Sequence, residues 1–172
     1  MCLARWNSPD LLELRVSRCD SKAILLLRLN HLWTKLNPAF TSDDFVEWDL
    51  KTARRRMVEE RKQNADIYMT GSLQLIDSAS GKASFHPYTA DETADDAAER
   101  RAAIDAYIKA DCDCDHLVAT WLPASSGKAL EQELRVVIGG RYPHEVVIPA
   151  QTSSQGVDYV TNKLRYYGRQ ES

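Results

Sequence analysis

The sequence predicts an α+β domain in which three to four helices pack on one face of a mainly antiparallel sheet of about five strands, built from hairpins. Segments with an apolar residue every three or four positions are typical of helices, and they recur along the chain. Shorter segments in which apolar and polar residues alternate are typical of strands, and two pairs of them flank glycine-containing turns. The length of 172 residues and the hydrophobic content of 44% fit a single compact domain, residues 1–172.

The first 64 residues predict one short strand followed by two helices. Residues 12–16 alternate between apolar and polar, which favours a strand, although Ser8-Pro9-Asp10 in front of them would equally start a short helix. Leucines at steps of three and four then predict a helix over residues 21–36. A second apolar stripe predicts a longer helix over residues 42–64, and its members are Val46, Leu50, Ala53 and Met57.

The rest of the chain predicts a hairpin, a helix, three further strands and a final helix. The strands cover residues 67–75, 83–88, 117–122, 134–138 and 145–148. On the buried face of the first strand we expect Ile67, Met69, Leu73 and Leu75, with Tyr68 on the opposite face. Thr93 with Asp96 three residues later begins a helix that runs to about residue 110, and a serine cap begins the last helix, residues 153–168.

Composition and charge limit the classes of function. The formal net charge of −3 argues against a general attraction to nucleic acid or to an anionic membrane, although it leaves room for a local basic patch. The longest apolar run, residues 23–27, is far too short to cross a bilayer, and the first residues lack the apolar stretch of a secretory leader. Four cysteines are too few for a disulfide scaffold in a chain of this length. We therefore expect a reduced, cytoplasmic protein with no membrane partner.

Residues 111–116 concentrate metal-binding chemistry in one short segment. Thiolate and imidazole groups suit zinc, and an extended backbone would place Cys112, Cys114 and His116 on one face. Together they supply at most three of the four ligands that a structural zinc site needs. The alternative is a polar loop beside two buried thiols. Zinc is the one cofactor that the sequence suggests.

The charges of the chain are divided between separate segments. Residues 91–115 hold nine acidic and three basic residues, whereas residues 51–62 and 163–169 are rich in basic ones. Such asymmetry can guide a partner of opposite charge, but it is also typical of solvated helix faces. The candidate partner-binding residues are Arg54, Arg55, Arg56, Lys163, Arg165, Tyr166, Asp111, Asp113 and Asp115.

One short motif is similar to a known enzyme family. Glu47, Asp49 and Lys51 follow an apolar pair, and the acid-x-lysine spacing resembles the pattern of the PD-(D/E)xK nucleases. The resemblance implies that Asp49 and an upstream acid, Asp10 or Asp20, hold Mg²⁺ while Lys51 polarises the attacking water. It requires Asp49 and Lys51 to lie on a strand, whereas the apolar stripe predicts a helix there.

Three functions are therefore open. The first is a non-enzymatic interaction or accessory protein that binds another macromolecule, with a protein as the first choice of partner, because the fold is well patterned and lacks a complete catalytic motif. The second is a metal-dependent hydrolase, such as a nuclease, which uses the carboxylates of residues 47–51 or the cluster at residues 111–116. The third is a nucleic-acid-binding accessory protein that uses Arg54, Arg55, Arg56 and Tyr166.

Overall fold

The computed structural model describes residues 2–8, 11–16, 21–45, 48–77, 81–86, 93–139 and 144–169. The chain gathers into two compact units, residues 1–47 and residues 48–172, and each is described by itself. Whether they act as the one domain expected from the sequence stays a prediction. The turns expected at residues 78–80 and 140–143 lie outside the described residues.

The first unit contains a hairpin and one helix. Strands β1 (Cys2–Ser8) and β2 (Leu11–Val16) pair antiparallel, which confirms the strand predicted at residues 12–16. Helix α1 (Lys22–Leu36) begins at Ser21, whose hydroxyl accepts a hydrogen bond from the Ile24 N–H. The chain then returns over the helix, because Phe45 packs against Trp33 with ring centroids 5.7 Å apart.

The second unit contains a five-stranded antiparallel sheet, and the predicted α+β class is confirmed. Its spatial strand order is β4-β3-β5-β6-β7. The bounds are β3 Tyr68–Asp77, β4 Gly81–Phe85, β5 Asp113–Trp121, β6 Leu134–Gly139 and β7 Val146–Val147. Strands β3 and β4 form the predicted hairpin, and β5 pairs with both β3 and β6.

Three helices pack with this sheet around one hydrophobic core. They are α2 (Lys51–Glu59), α3 (Ala94–Lys109) and α4 (Ser154–Gly168). Helix α3 begins in the predicted capping box of Thr93 and Asp96, and the Ser153 hydroxyl accepts from the Gly156 N–H at the start of α4. The largest fully buried side chains are Trp121, Tyr68 and Tyr167, one from β5, one from β3 and one from α4.

The single helix predicted over residues 42–64 is wrong. Residues 42–44 form an isolated 3₁₀ turn, and α2 begins only at Lys51. The Asp49 carboxylate accepts a hydrogen bond of 2.8 Å from the Lys51 N–H, so Asp49 satisfies a backbone donor that would otherwise be unpaired in the first turn. The predicted stripe residues Leu50, Ala53 and Met57 are nevertheless buried.

Two bulges change which side chains face the core. In β5, Cys114 lies opposite Leu75 and His116 opposite Gln74, so Asp115 is an extra residue and the alternation restarts after it. A second register shift lies between Thr70 and Leu73 of β3. The prediction that Met69 faces inward and Tyr68 outward is therefore wrong: Met69 is 47% exposed and Tyr68 is 1% exposed. Among the described residues, no helix is both long and apolar enough to cross a bilayer.

Candidate functional site on helices α2 and α4

The cysteines of residues 111–116 lie in the hydrophobic core. Asp111 adopts a left-handed conformation (φ 63°) just after α3, and Cys112 and Cys114 are both buried. The Cys114 Sγ is 3.5 Å from the His116 carbonyl oxygen, and burial raises the pKa of the Cys114 thiol to about 12. At neutral pH this thiol keeps its proton, whereas metal ligation and nucleophilic attack both need the thiolate.

His116 does not join the two cysteines on one face. The bulge at Asp115 turns His116 away from the core side, and its neighbour Leu117 is fully buried instead. Burial lowers the pKa of His116, while the charge of Asp115 opposes that shift. Within the described part of the chain, no three His, Cys, Asp or Glu side chains are placed to hold a metal ion. Zinc binding at Cys112, Cys114 and His116 stays a hypothesis without geometric support.

The three aspartates of this segment form ion pairs with basic residues of the same chain. Asp113 lies 2.7 Å from Lys51 Nζ, Asp111 pairs with Arg55, and Asp115 lies 3.3 Å from Lys82 Nζ. Part of the acidic segment and part of the basic helix α2 therefore neutralise each other. Because these pairs are largely solvated, each contributes little to stability, and their charges attract a partner less than the sequence suggested.

Arg54 is the exception on α2, because it lies in the core with 2% of its surface exposed. Its Nε donates a hydrogen bond of 2.7 Å to the Cys114 carbonyl oxygen, and one Nη lies 3.8 Å from Asp49. A side chain held in this way positions α2 against β5. We therefore leave Arg54 out of the surface proposed below, although the sequence placed it among the partner-binding residues.

The nuclease-like motif has a different setting from the one that its resemblance requires. Lys51 is the first residue of α2, and Asp49 accepts a hydrogen bond from the Lys51 N–H. The strand on which a PD-(D/E)xK site is built is thus replaced by a helix start. Glu47, Asp10 and Asp20 lie outside the described residues. The geometry therefore gives the hydrolase hypothesis no support from Asp49 and Lys51.

Cations and tyrosines meet where α2 lies beside α4. The Arg56 Cζ is 5.4 Å from the centroid of the Tyr166 ring, and the Lys163 Nζ is 5.8 Å from that of Tyr159. Tyr166 is 55% exposed. Arg56 also pairs with Glu60 at 2.6 Å. We call Arg56, Tyr159, Lys163 and Tyr166 the α2–α4 surface. Arg165 follows Lys163 on the same helix and is partly buried.

A shallow groove of about 550 Å³ continues this surface along α4. One side of it is the turn of residues 127–129, and the other is the first half of α4, with Gln155, Asp158, Tyr159 and Asn162. The sequence analysis missed the groove. Its sequence signal is the polar stripe of Gln155, Asp158 and Asn162 at helical spacing, beside the apolar stripe that was recognised.

Comparison of the chain with profiles of known protein families, with curated proteins and with solved structures finds no match. The function is therefore inferred from the residues and the geometry of this chain alone.

Proposed function

We propose that this chain is a non-enzymatic interaction protein that binds another macromolecule, in the first place a protein, through the α2–α4 surface. The observation that carries the proposal is the stacking of Arg56 on Tyr166 and of Lys163 on Tyr159 along one helix. Tyrosine and arginine are enriched among the residues that contribute most to binding at protein interfaces.

The electrostatics of the described residues support this position on the molecule. Lys51, Arg55, Arg61 and Lys62 all form ion pairs with carboxylates of the 105–113 region, so much of the charge of α2 is compensated within the chain. By contrast, residues 163–169 carry three basic and no acidic residues. The attraction for an acidic patch is therefore concentrated at the end of α4.

The stacking also prepares these side chains for binding. Arginine and lysine lose considerable side-chain freedom when an interface immobilises them. A guanidinium that already rests on a tyrosine ring has lost part of that freedom, and such a contact contributes about 0.5–1 kcal/mol at an exposed site. Less entropy is then lost when the partner arrives.

A nucleic-acid accessory protein is the second candidate, because cations that alternate with tyrosines can also contact phosphates and stack on bases. The two candidates differ in their salt dependence, since each phosphate contact adds about one unit to the slope of log affinity against log salt. We also propose a cytoplasmic location, which the free, buried thiols of Cys112 and Cys114 support.

The experiment compares capture of partners by the wild-type protein, Lys163→Glu and Lys109→Glu. Both variants change the net charge equally, and Lys109 is exposed at the end of α3, away from the α2–α4 surface. A captured protein is then purified and titrated. We expect Lys163→Glu to weaken binding about tenfold and Lys109→Glu to change it less than about twofold.

Equal effects of the two variants would place the binding elsewhere on the molecule. Turnover on a panel of phosphodiester, ester and peptide substrates, absent from a mock preparation, would contradict the non-enzymatic part. If the captured partner is nucleic acid and Lys163→Glu lowers the salt slope by about one, the second candidate replaces the first.

A further inference from the structure

We infer that the groove beside α4 binds an extended segment of the partner polypeptide through that segment's main chain, with an acidic side chain at the Lys163 end. This inference rests on the proposed function and deepens it, since Tyr159 belongs to both the groove and the α2–α4 surface.

The dimensions of the groove suit an extended chain. Gln155, Tyr159, Asn162 and Tyr166 follow one another at steps of four, three and four residues, which places them in one strip along α4. At a rise of 1.5 Å per residue the strip is about 16 Å long. An extended polypeptide advances about 3.3 Å per residue, so about five residues span the strip.

Two carboxamides have the spacing that a peptide main chain requires. Gln155 and Asn162 are exposed and lie two helical turns, about 10.5 Å, apart. Residues three apart on an extended strand are separated by about 10 Å. Each carboxamide offers a donor and an acceptor, which complement the C=O and N–H of one peptide unit. The described hydrogen bonds use neither side chain, so both can turn towards a bound strand.

The opposite wall of the groove is firmly held, although it is a turn. Gly127 and Lys128 are both left-handed (φ 59° and 73°), and the Ala129 N–H closes the turn on the Ser126 carbonyl oxygen at 3.2 Å. The buried Ser126 hydroxyl donates to the Pro123 carbonyl at 2.8 Å and accepts from the Leu130 N–H at 3.0 Å. A wall fixed by its own hydrogen bonds loses little entropy when a ligand binds.

The floor of the groove is aromatic and backed by the core. The Tyr159 ring lies edge-on to the Trp121 ring, with centroids 6.0 Å apart, and Trp121 is fully buried. A ligand chain that runs along α4 therefore lies across a fixed ring. Fixed aromatic surface of this kind provides contact area at low entropic cost.

The charges in the groove favour a polypeptide over a nucleic acid. Asp158 lies in the groove, whereas Lys163 and Arg56 lie beyond it towards the end of α4. A single-stranded nucleic acid carries a negative charge on each nucleotide and would bring a phosphate close to Asp158. A polypeptide can place a neutral residue beside Asp158 and one acidic residue beside Lys163, which avoids the like-charge contact.

The test uses two arrays of capped peptides of about five residues, the length set by the strip. One array carries Asp or Glu at a single varied position among uncharged residues, and the other carries Lys at the same positions. The wild-type full-length chain should bind members of the acidic array and not their lysine counterparts. The affinity of the best peptide is then measured by fluorescence polarisation.

Side-chain variants locate the binding. Gln155→Leu and Asn162→Leu keep good helix-forming residues in α4, and Gln132→Leu is the matched control on an exposed loop outside the groove. We expect each groove variant to lower the affinity about tenfold and the control to change it less than about twofold. Far-ultraviolet circular dichroism verifies that all three variants are folded.

The inference is overturned if no peptide of either array binds, if the lysine array binds equally well, or if the groove variants bind like the control. It is also overturned if a thymidine pentanucleotide binds and Asn162→Leu abolishes that binding. Its failure can be told from that of the proposed function. If Lys163→Glu still loses the macromolecular partner while the arrays stay silent, the α2–α4 surface stands and the peptide-binding groove does not.

Discussion

The Nε of Arg54 on α2 donates a hydrogen bond of 2.7 Å to the carbonyl oxygen of Cys114 on β5, inside the hydrophobic core. The two residues are sixty positions apart in the chain. The carbonyl belongs to the residue just before the bulge at Asp115, so a buried cation holds the strand where its regular pairing is interrupted. A buried charge that is held by hydrogen bonds is costly to disturb.

Arg54→Ala should therefore destabilise the protein strongly. The change removes a buried hydrogen bond and leaves a cavity between α2 and β5, and we expect the free energy of unfolding to fall by about 2–4 kcal/mol. Urea denaturation measures it. Arg101→Ala on the exposed face of α3 is the control and should stay within about 0.5 kcal/mol of the wild type. A loss in Arg54→Ala no greater than in the control would mean that the hydrogen bond contributes little.

Gly139→Ala should be costly for a steric reason. Gly139 ends β6 with φ 73°, and a Cβ there would lie 2.6 Å from the Asp115 carbonyl oxygen and 3.0 Å from an Arg54 Nη. Gly81 shares the positive φ (91°), but a Cβ added there meets no atom within 4 Å. We expect about 1 kcal/mol of destabilisation from Gly81→Ala, due to the backbone alone, and at least about 2 kcal/mol more from Gly139→Ala. Equal losses in urea denaturation would show that the neighbours of Gly139 move aside freely.

The parts of the fold that depend on local chemistry could be predicted from the sequence. The capping box of Thr93 and Asp96 and the serine cap of α4 follow from residues three positions apart, so the starts of both helices were predicted correctly. The bulges were not predicted, because a register shift depends on the partner strand. One such shift, between Thr70 and Leu73, is enough to exchange the environments of Tyr68 and Met69.

The candidate site was predicted in part for the same reason. The sequence drew attention to Arg56, Lys163 and Tyr166 by charge and residue type, but it could not show that Arg56 stacks on Tyr166 from a different helix. Nor could it show that Lys51 lies 2.7 Å from Asp113, since the pairing of α2 with β5 depends on the whole fold. Charge runs that look complementary to a partner can instead complement each other.

The buried Cys114 thiol should make stability depend on alkaline pH. Its pKa is raised from 9.0 to about 12 in the folded state, so between these values the unfolded chain has lost a proton that the folded chain keeps. The free energy of unfolding contributed by this group is therefore fully present below pH 9 and falls as the pH rises. Urea denaturation at pH 8 and at about pH 9.5, below the range of ordinary tyrosine titration, measures the slope. Cys114→Ala should be flatter than the wild type over this interval, whatever its absolute stability, and parallel slopes would contradict the prediction.

Tyr166 allows stability and binding to be separated. Because its ring is 55% exposed, Tyr166→Ala removes mainly the contact with Arg56, and we expect a loss of no more than about 1 kcal/mol in the free energy of unfolding. The same change should weaken the captured partner about tenfold, since it removes the aromatic group of the α2–α4 surface and releases the guanidinium from its fixed position. Tyr166→Phe keeps the ring that Arg56 rests on, so its affinity should stay within about threefold of the wild type. If Phe and Ala weaken the partner equally, the hydroxyl rather than the stacked ring makes the contact, and the cation–tyrosine arrangement is not what the partner recognises.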